Sequence, residues 1–545
     1  MMIHQHSRQY DVLIIGGGAT GAGVARDCSL RGLSVLVIER GDIATGATGR
    51  NHGLLHSGAR YAVTDKESAV ECIQENNILK KIASHCIEET DGLFLSLPED
   101  DLAYQGKLVQ SCLDAGINAE LIDPEEAVRM EPAANKEIIG AVRVPDGSID
   151  PFRLTLSNII DAKMHGGDIL TYHEVTEIII DRHTVAGVKA YDKKTKETKC
   201  LYANIVVNAG GIWGQQISTF AGIKINMFPA KGSLLIFGHR INSFVLNRCR
   251  KPADADILVP GDTICLIGTT SIRLPYDEID RMHVTPEEVD ILIREGEKLS
   301  PVLAQTRILR AYAGVRPLVA ADDDPTGRNI SRGIVLLDHR KRDGLDGYIT
   351  VTGGKLMTYR LMAEMATDLI CEKLNVNAPC ATATTKLPGS VEKTQEIIAG
   401  MHNVPVSIRE AEIYRHGEMA KDIPNATSIS NSLVCECEEV SAGEVHYVKE
   451  KLNVNNLTDL RRRTRTGMGT CQGALCAWRA AGLIHQLKKE HDAVRSREDL
   501  AQFLNERWKG IRPVLWGDSL RESEYTSWVY ESVCGLSSPE KKQTV

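Results

Sequence analysis

The sequence predicts an α/β and α+β protein: a dinucleotide-binding unit of parallel strands interleaved with a mixed-sheet domain, then a small helical domain presenting cysteine ligands. Three observations predict it. A β-branched run at 11–15 leads straight into a glycine-rich turn, short alternating apolar runs recur between 169 and 270, and two close cysteine pairs stand near the C-terminal end. The composition agrees with a folded protein. Of 545 residues 43% are hydrophobic and 25% charged, enough to bury a full core. With 64 Lys and Arg against 72 Asp and Glu the net charge is −8, which gives no electrostatic reason to expect nucleic-acid binding. No apolar run approaches the ~18–20 residues needed to cross a bilayer. The polar start, Met1-Met2-Ile3-His4-Gln5, lacks the apolar stretch of a secretory signal, so a cytosolic protein is expected.

The first element is the buried strand Asp11-Val12-Leu13-Ile14-Ile15, followed at once by Gly16-Gly17-Gly18-Ala19-Thr20-Gly21, a G-x-G-x-x-G turn. A helix from about Ala22 to Leu30 stops at Gly32, and a second strand, Ser34-Val35-Leu36-Val37-Ile38, ends on Glu39. Each glycine has a separate task. Gly16 permits the tight turn, Gly18 lets backbone approach a pyrophosphate, and Gly21 allows close helix–strand packing. The helix N-terminus offers free N–H groups to the anion, and Glu39, 18 residues beyond Gly21, can accept both ribose hydroxyls. A Rossmann-type dinucleotide site follows, although the motif alone does not separate NAD from FAD.

The next stretch, from Asp42 through Thr48-Gly49-Arg50-Asn51-His52-Gly53-Leu54-Leu55-His56-Ser57-Gly58-Ala59-Arg60-Tyr61, is too rich in small and hydroxyl residues for a surface helix. It suits a loop wrapping a large planar ligand. On these residues the chain resembles the D-amino-acid-oxidase-like FAD proteins, and within them the FAD-dependent glycerol-3-phosphate dehydrogenases.

Further on, runs at 174–180, 185–191 and 199–209, separated by polar turns such as Lys193-Lys194-Thr195-Lys196, read as an antiparallel meander. Its last strand delivers Ala209-Gly210-Gly211, small residues that again admit a cofactor. Asp146-Gly147-Ser148-Ile149-Asp150-Pro151 marks the passage into an inserted segment, and alternating runs from about 226 to 316 read as a mixed-sheet substrate domain. Tyr348-Ile349-Thr350-Val351-Thr352 then leads into Gly353-Gly354-Lys355-Leu356 and a helix reaching about Leu374, a second helix-start site suited to a flavin's pyrimidine end.

The motifs Gly314-Val315-Arg316-Pro317-Leu318 and Gly353-Gly354-Lys355-Leu356-Met357-Thr358-Tyr359-Arg360 extend the resemblance nearly end to end, toward the anaerobic, heteromeric branch of that family. It implies FAD as cofactor, held by Gly16, Gly17, Gly18, Ala19, Thr20, Gly21, Glu39, Arg40, Thr48, Asn51, Gly53, Leu54, Ala209, Gly210, Gly354, Lys355 and Leu356. It places the family's substrate arginines on Arg60, Arg316 and Arg332, and guanidinium forks are what a phosphate monoester calls for. One position departs from the pattern. Where the aerobic, homodimeric relatives continue the segment matching Lys231-Gly232-Ser233 with a histidine, Leu234 stands here. The proton acceptor then falls to His56 or Lys355, and spacing does not choose between them.

Cys435-Glu436-Cys437 and Cys471-Gln472-Gly473-Ala474-Leu475-Cys476, with 33 residues between the pairs, form a four-thiolate ligand set. The remaining ten cysteines are scattered singly. Thiolates suit iron–sulfur and zinc alike, but C-x-C is unusual for structural zinc. Helix-compatible segments at 442–452 and 457–465 and a glycine-rich lead-in, 466–470, precede the second pair. This segment resembles the bacterioferritin-associated-ferredoxin-like [2Fe–2S] domain. Arg461, Arg462, Arg463 and Arg465 read as a solvated helix face.

The expected organisation is a flavin oxidoreductase domain at 1–382 with FAD-binding and substrate parts interleaved, a connector at 383–430 with some helix and no core, a [2Fe–2S] domain at 431–490, and a tail at 491–545. Trp508, Trp516 and Trp528 in that tail either pack on the body or meet a partner, and its end, 539–545, is expected to be disordered. The resemblance implies oxidation of sn-glycerol 3-phosphate to dihydroxyacetone phosphate within a hetero-oligomer. Electrons would leave through partner chains, first a second redox subunit, then a membrane-anchoring iron–sulfur subunit, to quinone. This chain would be peripheral on the cytoplasmic face of the inner membrane. Two alternatives stay open from the residues alone: a same-fold oxidase or dehydrogenase of a 2-hydroxy acid or amino acid, and a non-catalytic, zinc-stapled flavin scaffold.

Overall fold

The computed structural model describes residues 9–319, 333–390, 394–401, 403–424, 428–487 and 493–536. Its first sheet has eight strands. At its centre β1 (Gln9–Ile15) lies parallel to β2 (Val35–Glu39) on one side and to the Thr198–Asn208 strand on the other, so Ile14 stands opposite both Val37 and Val207. Val12, Leu13 and Ile14 are fully buried, as a strand covered on both faces requires. The Tyr348–Gly353 strand adds in parallel beside Thr198–Asn208, and the expected meander closes the sheet with His173–Asp181 and Thr184–Asp192. α1 (Ala19–Leu30) connects β1 to β2 and starts three residues earlier than its apolar pattern suggests, because Gly18 serves as N-cap directly after the turn.

The second sheet has nine strands. The longest pair, Met227–Phe237 against Ile308–Val319, sets Gly232 opposite Gly314 and Leu234 opposite Tyr312. The alternating runs after 226 belong to it as expected, but Gly92–Ser96, Glu120–Ile122 and Gly140–Val144 join it too. Those three strands come from before the supposed inserted segment. They are short, and their apolar content gives little to separate them from loop.

The stretch from 383 to 430 is more than a connector. Met401, Val404, Ile408, Ala420 and Ile423 are buried in one continuous cluster with Val12, Ile14 and Ala363 of the nucleotide fold and Leu457, Leu460, Cys476 and Phe503 of the C-terminal helices. Of the prolines that suggest a linker, Pro405 is the N-cap of the Val406–His416 helix and Pro388 sits in a turn, where a missing N–H costs nothing. The Ala493–Ile511 helix packs back on the body. Trp508 is partly buried against this core, whereas Trp516 and Trp528 are exposed. The segment 539–545 lies outside the described residues.

The arginine helix (Leu457–Thr464) corrects the expectation of a solvated face. Arg463 and Arg462 both pair with Asp42, and Arg465 pairs with Asp262 and Glu438. Side-chain length lets these guanidiniums reach across a domain boundary that a helical projection of the sequence does not contain.

Candidate active site

A cavity of about 1050 Å³ runs from the glycine turn, past the loop at 45–54, to the paired long strands of the second sheet. Of the residues expected to hold a cofactor, Gly16, Gly18, Ala19, Thr20, Glu39, Arg40, Thr48, Asn51, Leu54, Ala209, Gly210, Gly354, Lys355 and Leu356 line it. Gly17, Gly21 and Gly53 do not reach its wall, and their parts are played in the backbone. Gly16 has φ +114°, and a Cβ there would meet the Ala209 carbonyl oxygen at 2.5 Å. A Cβ on Gly21 would lie 2.0 Å from the Gly16 carbonyl oxygen, so only glycine lets α1 rise so close to the turn. Gly53, at φ +64°, turns the loop against Ile149.

Glu39 closes β2 at the cavity edge. Its two carboxylate oxygens accept the N–H groups of Gly17 at 2.7 Å and Gly41 at 2.8 Å, which fixes the carboxylate plane while leaving lone pairs for a ligand hydroxyl. Burial raises its pKa, and those two backbone donors oppose the rise. Arg40 lies over the Trp213 ring at 4.2 Å and bonds Asp280. Thr48 accepts from the Ala19 N–H at 3.0 Å. Asn51 spends its side chain inside the loop, donating to the Thr48 carbonyl and accepting from Gly53 N–H, so it shapes the wrap. α1 has no side-chain cap. A long cavity, a glycine floor and an uncapped helix start fit an extended dinucleotide.

At the far end stand Arg60 and Arg316. Arg60 Nη2 donates to Asp256 at 2.9 Å, while its Nη1 is buried without a hydrogen-bond partner among the described residues. Arg316 is anchored by Thr269, Ser271 and the Thr270 carbonyl, on a strand position opposite Ala230. Arg332 lies outside the described residues. Leu234 is on the wall with its side chain over Gly268, where a Cβ would meet it at 2.9 Å; it supplies shape and no proton chemistry.

His56 is buried beside Tyr61, ring centroids 5.4 Å apart, and Lys355 Nζ sits 4.7 Å from the ring centroid of that same tyrosine. The backbone at His56 is held firmly. Asn76 donates to its carbonyl at 3.2 Å, and Asp146 accepts the Ser57 N–H at 2.6 Å. Asp146, Asn76, Asp256, Thr269 and Tyr61 are not among the expected site residues. Most of them act from far along the chain, so no local spacing announces them; Asp256 is 196 residues from the arginine it orients.

The four cysteines come together between the Leu433–Cys435 strand and the start of the Cys476–Gln486 helix. The Cys476 thiol interacts with those of both Cys435 and Cys471. The neighbouring Cys476 thiol lowers Cys471 below the ordinary thiol value, against the opposing effect of burial. Backbone N–H groups of Gly473 and Leu475 point at Cys471, those of Gly467 and Glu438 at Cys435, and that of Cys471 at Cys437. Thr470 Oγ1 donates to Cys437 Sγ at 3.4 Å. Gly467 and Gly473 have positive φ and fold beneath Phe503, whose ring atoms leave no room for a Cβ. Among the described residues no three or more His, Cys, Asp or Glu side chains converge on a single-ion cage. Four thiols with N–H donors aimed at sulfur fit a two-iron cluster, which spreads its ligands over two metal centres.

Comparison with known proteins agrees with both halves. The family model "FAD dependent oxidoreductase" matches residues 11–360, and "BFD-like [2Fe-2S] binding domain" matches 433–486, which sets the zinc alternative aside. The chain is 64% identical over 535 residues to one of the subunits of the anaerobic glycerol-3-phosphate dehydrogenase of Escherichia coli K12, covering 98% of each. It is 42% identical to the like-named protein of Haloferax volcanii, covering 94% of this chain and 88% of that one. The structure of glycerol-3-phosphate dehydrogenase from Bacillus halodurans, complexed with FAD, superposes with a TM-score of 0.72 over 94% of this chain and 97% of that chain at 22% identity, a likeness of fold.

Proposed function

This chain belongs to the FAD-dependent oxidoreductase family, among the subunits of anaerobic glycerol-3-phosphate dehydrogenases, and we propose on that premise that it oxidises sn-glycerol 3-phosphate to dihydroxyacetone phosphate. The observation that carries the reading is the Arg60 Nη1, buried and unpartnered in the same cavity as Arg316 and the glycine turn. A buried guanidinium N–H without an acceptor is costly, and a phosphate oxygen would satisfy it.

In this reading Arg60 and Arg316 hold the phosphate while Leu234 closes the wall, so that binding becomes orientation of C2. His56 takes the C2 hydroxyl proton, because a neutral imidazole has an acceptor nitrogen, whereas the Lys355 ammonium has only donors. Lys355 instead places positive charge beside the 353–356 turn. Glu39, the glycine turn and the loop at 45–54 hold FAD, and Cys435, Cys437, Cys471 and Cys476 hold the [2Fe–2S] cluster. Bound FAD supplies two-electron hydride acceptance, and the cluster supplies one-electron transfer. With both groups bound, electrons would leave to partner subunits and quinone, with this chain peripheral at the cytoplasmic face of the inner membrane. The naming of the relatives as parts of a larger enzyme supports the partner subunits, and among the described residues no helix is long and apolar enough to cross a membrane.

Anaerobic mixing tests it. Flavin-loaded protein should bleach with sn-glycerol 3-phosphate, and much more slowly with glycerol or a 2-hydroxy acid. Flavin that stays oxidised with the phosphorylated substrate sinks the assignment.

A further inference from the structure

A second cavity, of about 460 Å³, lies behind the flavin-side loop, between residues 41–53, the Ile308–Val319 strand and the arginine helix. We propose that it is a binding site for a small phosphate-bearing anion, held by Arg310 and Arg461 with Arg50 at the wall it shares with the first cavity.

The arginines around this space divide into two kinds. Arg462 and Arg465 reach Asp42, Asp459, Asp262 and Glu438. Arg50, Arg310 and Arg461 line the same cavity, and none makes a side-chain hydrogen bond or ion pair among the described residues. Arg310 Nε is buried and unpartnered. Three desolvated like charges facing one space are unfavourable unless a counter-charge joins them. Burial holds all three guanidiniums below their ordinary pKa, and Arg310 is a further cause at Arg461, as Arg50 is at Arg310. Among the described residues the one carboxylate lining the space without a partner, Glu506, is exposed on the solvent edge and pairs with none of them. Its charge opposes the shift at each arginine and does not reverse it. Guanidinium forks match tetrahedral oxyanions, and the volume admits an organic phosphate larger than the bare ion.

The site is separate from the catalytic reading and stands without it. Inorganic phosphate titrated into the FAD-loaded protein, against sodium chloride at matched ionic strength, should raise the melting temperature with the logarithm of its concentration, by roughly 2–3 °C at a large excess over Kd. The rise should survive in Arg316→Ala, which removes an arginine of the first cavity only. Made in the Arg316→Ala background, where the phosphate grip of the first cavity is weakened, Arg461→Gln and Arg310→Gln should each abolish it, and both should melt at or above the temperature of that background without phosphate, since each relieves repulsion. No rise beyond chloride, a rise persisting in both glutamine variants, or a rise already lost in Arg316→Ala overturns the proposal.

Discussion

Arg463 holds Asp42 with both terminal nitrogens, Nη1 at 2.9 Å from Oδ2 and Nη2 at 2.7 Å from Oδ1, across 421 residues of chain. Asp42 follows the second strand of the nucleotide fold by three residues, and Arg463 sits on the helix leading to the second cysteine pair. The cofactor-wrapping loop and the cluster domain are thus one mechanical unit, with Arg462 as a second hand on the same carboxylate at 2.7 Å.

That carboxylate should make the protein acid-sensitive. Burial would raise Asp42, but Arg463 and Arg462 outweigh it and bring it to about 2; Arg465 and Arg153 do the same for Asp262. Both lie below the unfolded value of about 3.9. Their stabilisation is therefore complete above pH ~4 and is lost as pH falls toward 2. Urea unfolding at pH 6 and pH 3 should show a large loss in the wild type. Asp42→Asn should already be destabilised at pH 6 by roughly 3–5 kcal/mol and lose less on acidification. Parallel pH profiles would contradict the lock.

Gly21→Ala should give protein that folds but purifies without flavin, because its methyl would occupy the Gly16 carbonyl. The absorbance ratio of flavin to protein measures this directly; full flavin content would show that α1 can retreat without opening the site.

Arg316→Ala should raise KM at least tenfold with flavin retained, as expected on losing one charge-assisted phosphate contact of roughly 1.5–3 kcal/mol. His56→Asn should instead lower kcat by about 10²–10⁴ and remove the acid limb of the kcat profile. If Lys355→Met removed that limb and His56→Asn did not, the base assignment would pass to the lysine.

Cys471→Ser should lose iron and acid-labile sulfide while FAD remains and an artificial two-electron acceptor is still reduced. Loss of flavin as well would mean that the cluster braces the shared core in which Cys476 is buried.

The glycine turn, the strand ending on Glu39, the meander and the cysteine set are legible in the sequence because each is local: a handful of neighbours states its geometry. The strands at 92–96, 120–122 and 140–144 are not, since their pairing with a sheet formed mainly after residue 226 is settled by tertiary packing. The Arg461–Arg465 run misleads for the same reason. A charged helix face is solvated unless another domain brings carboxylates to it, and Asp42 and Asp262 do. Asp256 and Thr269, which position Arg60 and Arg316, carry no motif of their own.

The order of strands in the first sheet has a consequence for synthesis. The Tyr348–Gly353 strand inserts beside Thr198–Asn208, so the nucleotide fold stays incomplete until more than 350 residues have left the ribosome. A nascent chain must wait with apolar strand edges uncovered, the circumstance in which chaperones are recruited. Cofactor loading becomes a late event in synthesis, and products truncated before that strand would be expected to aggregate colourless.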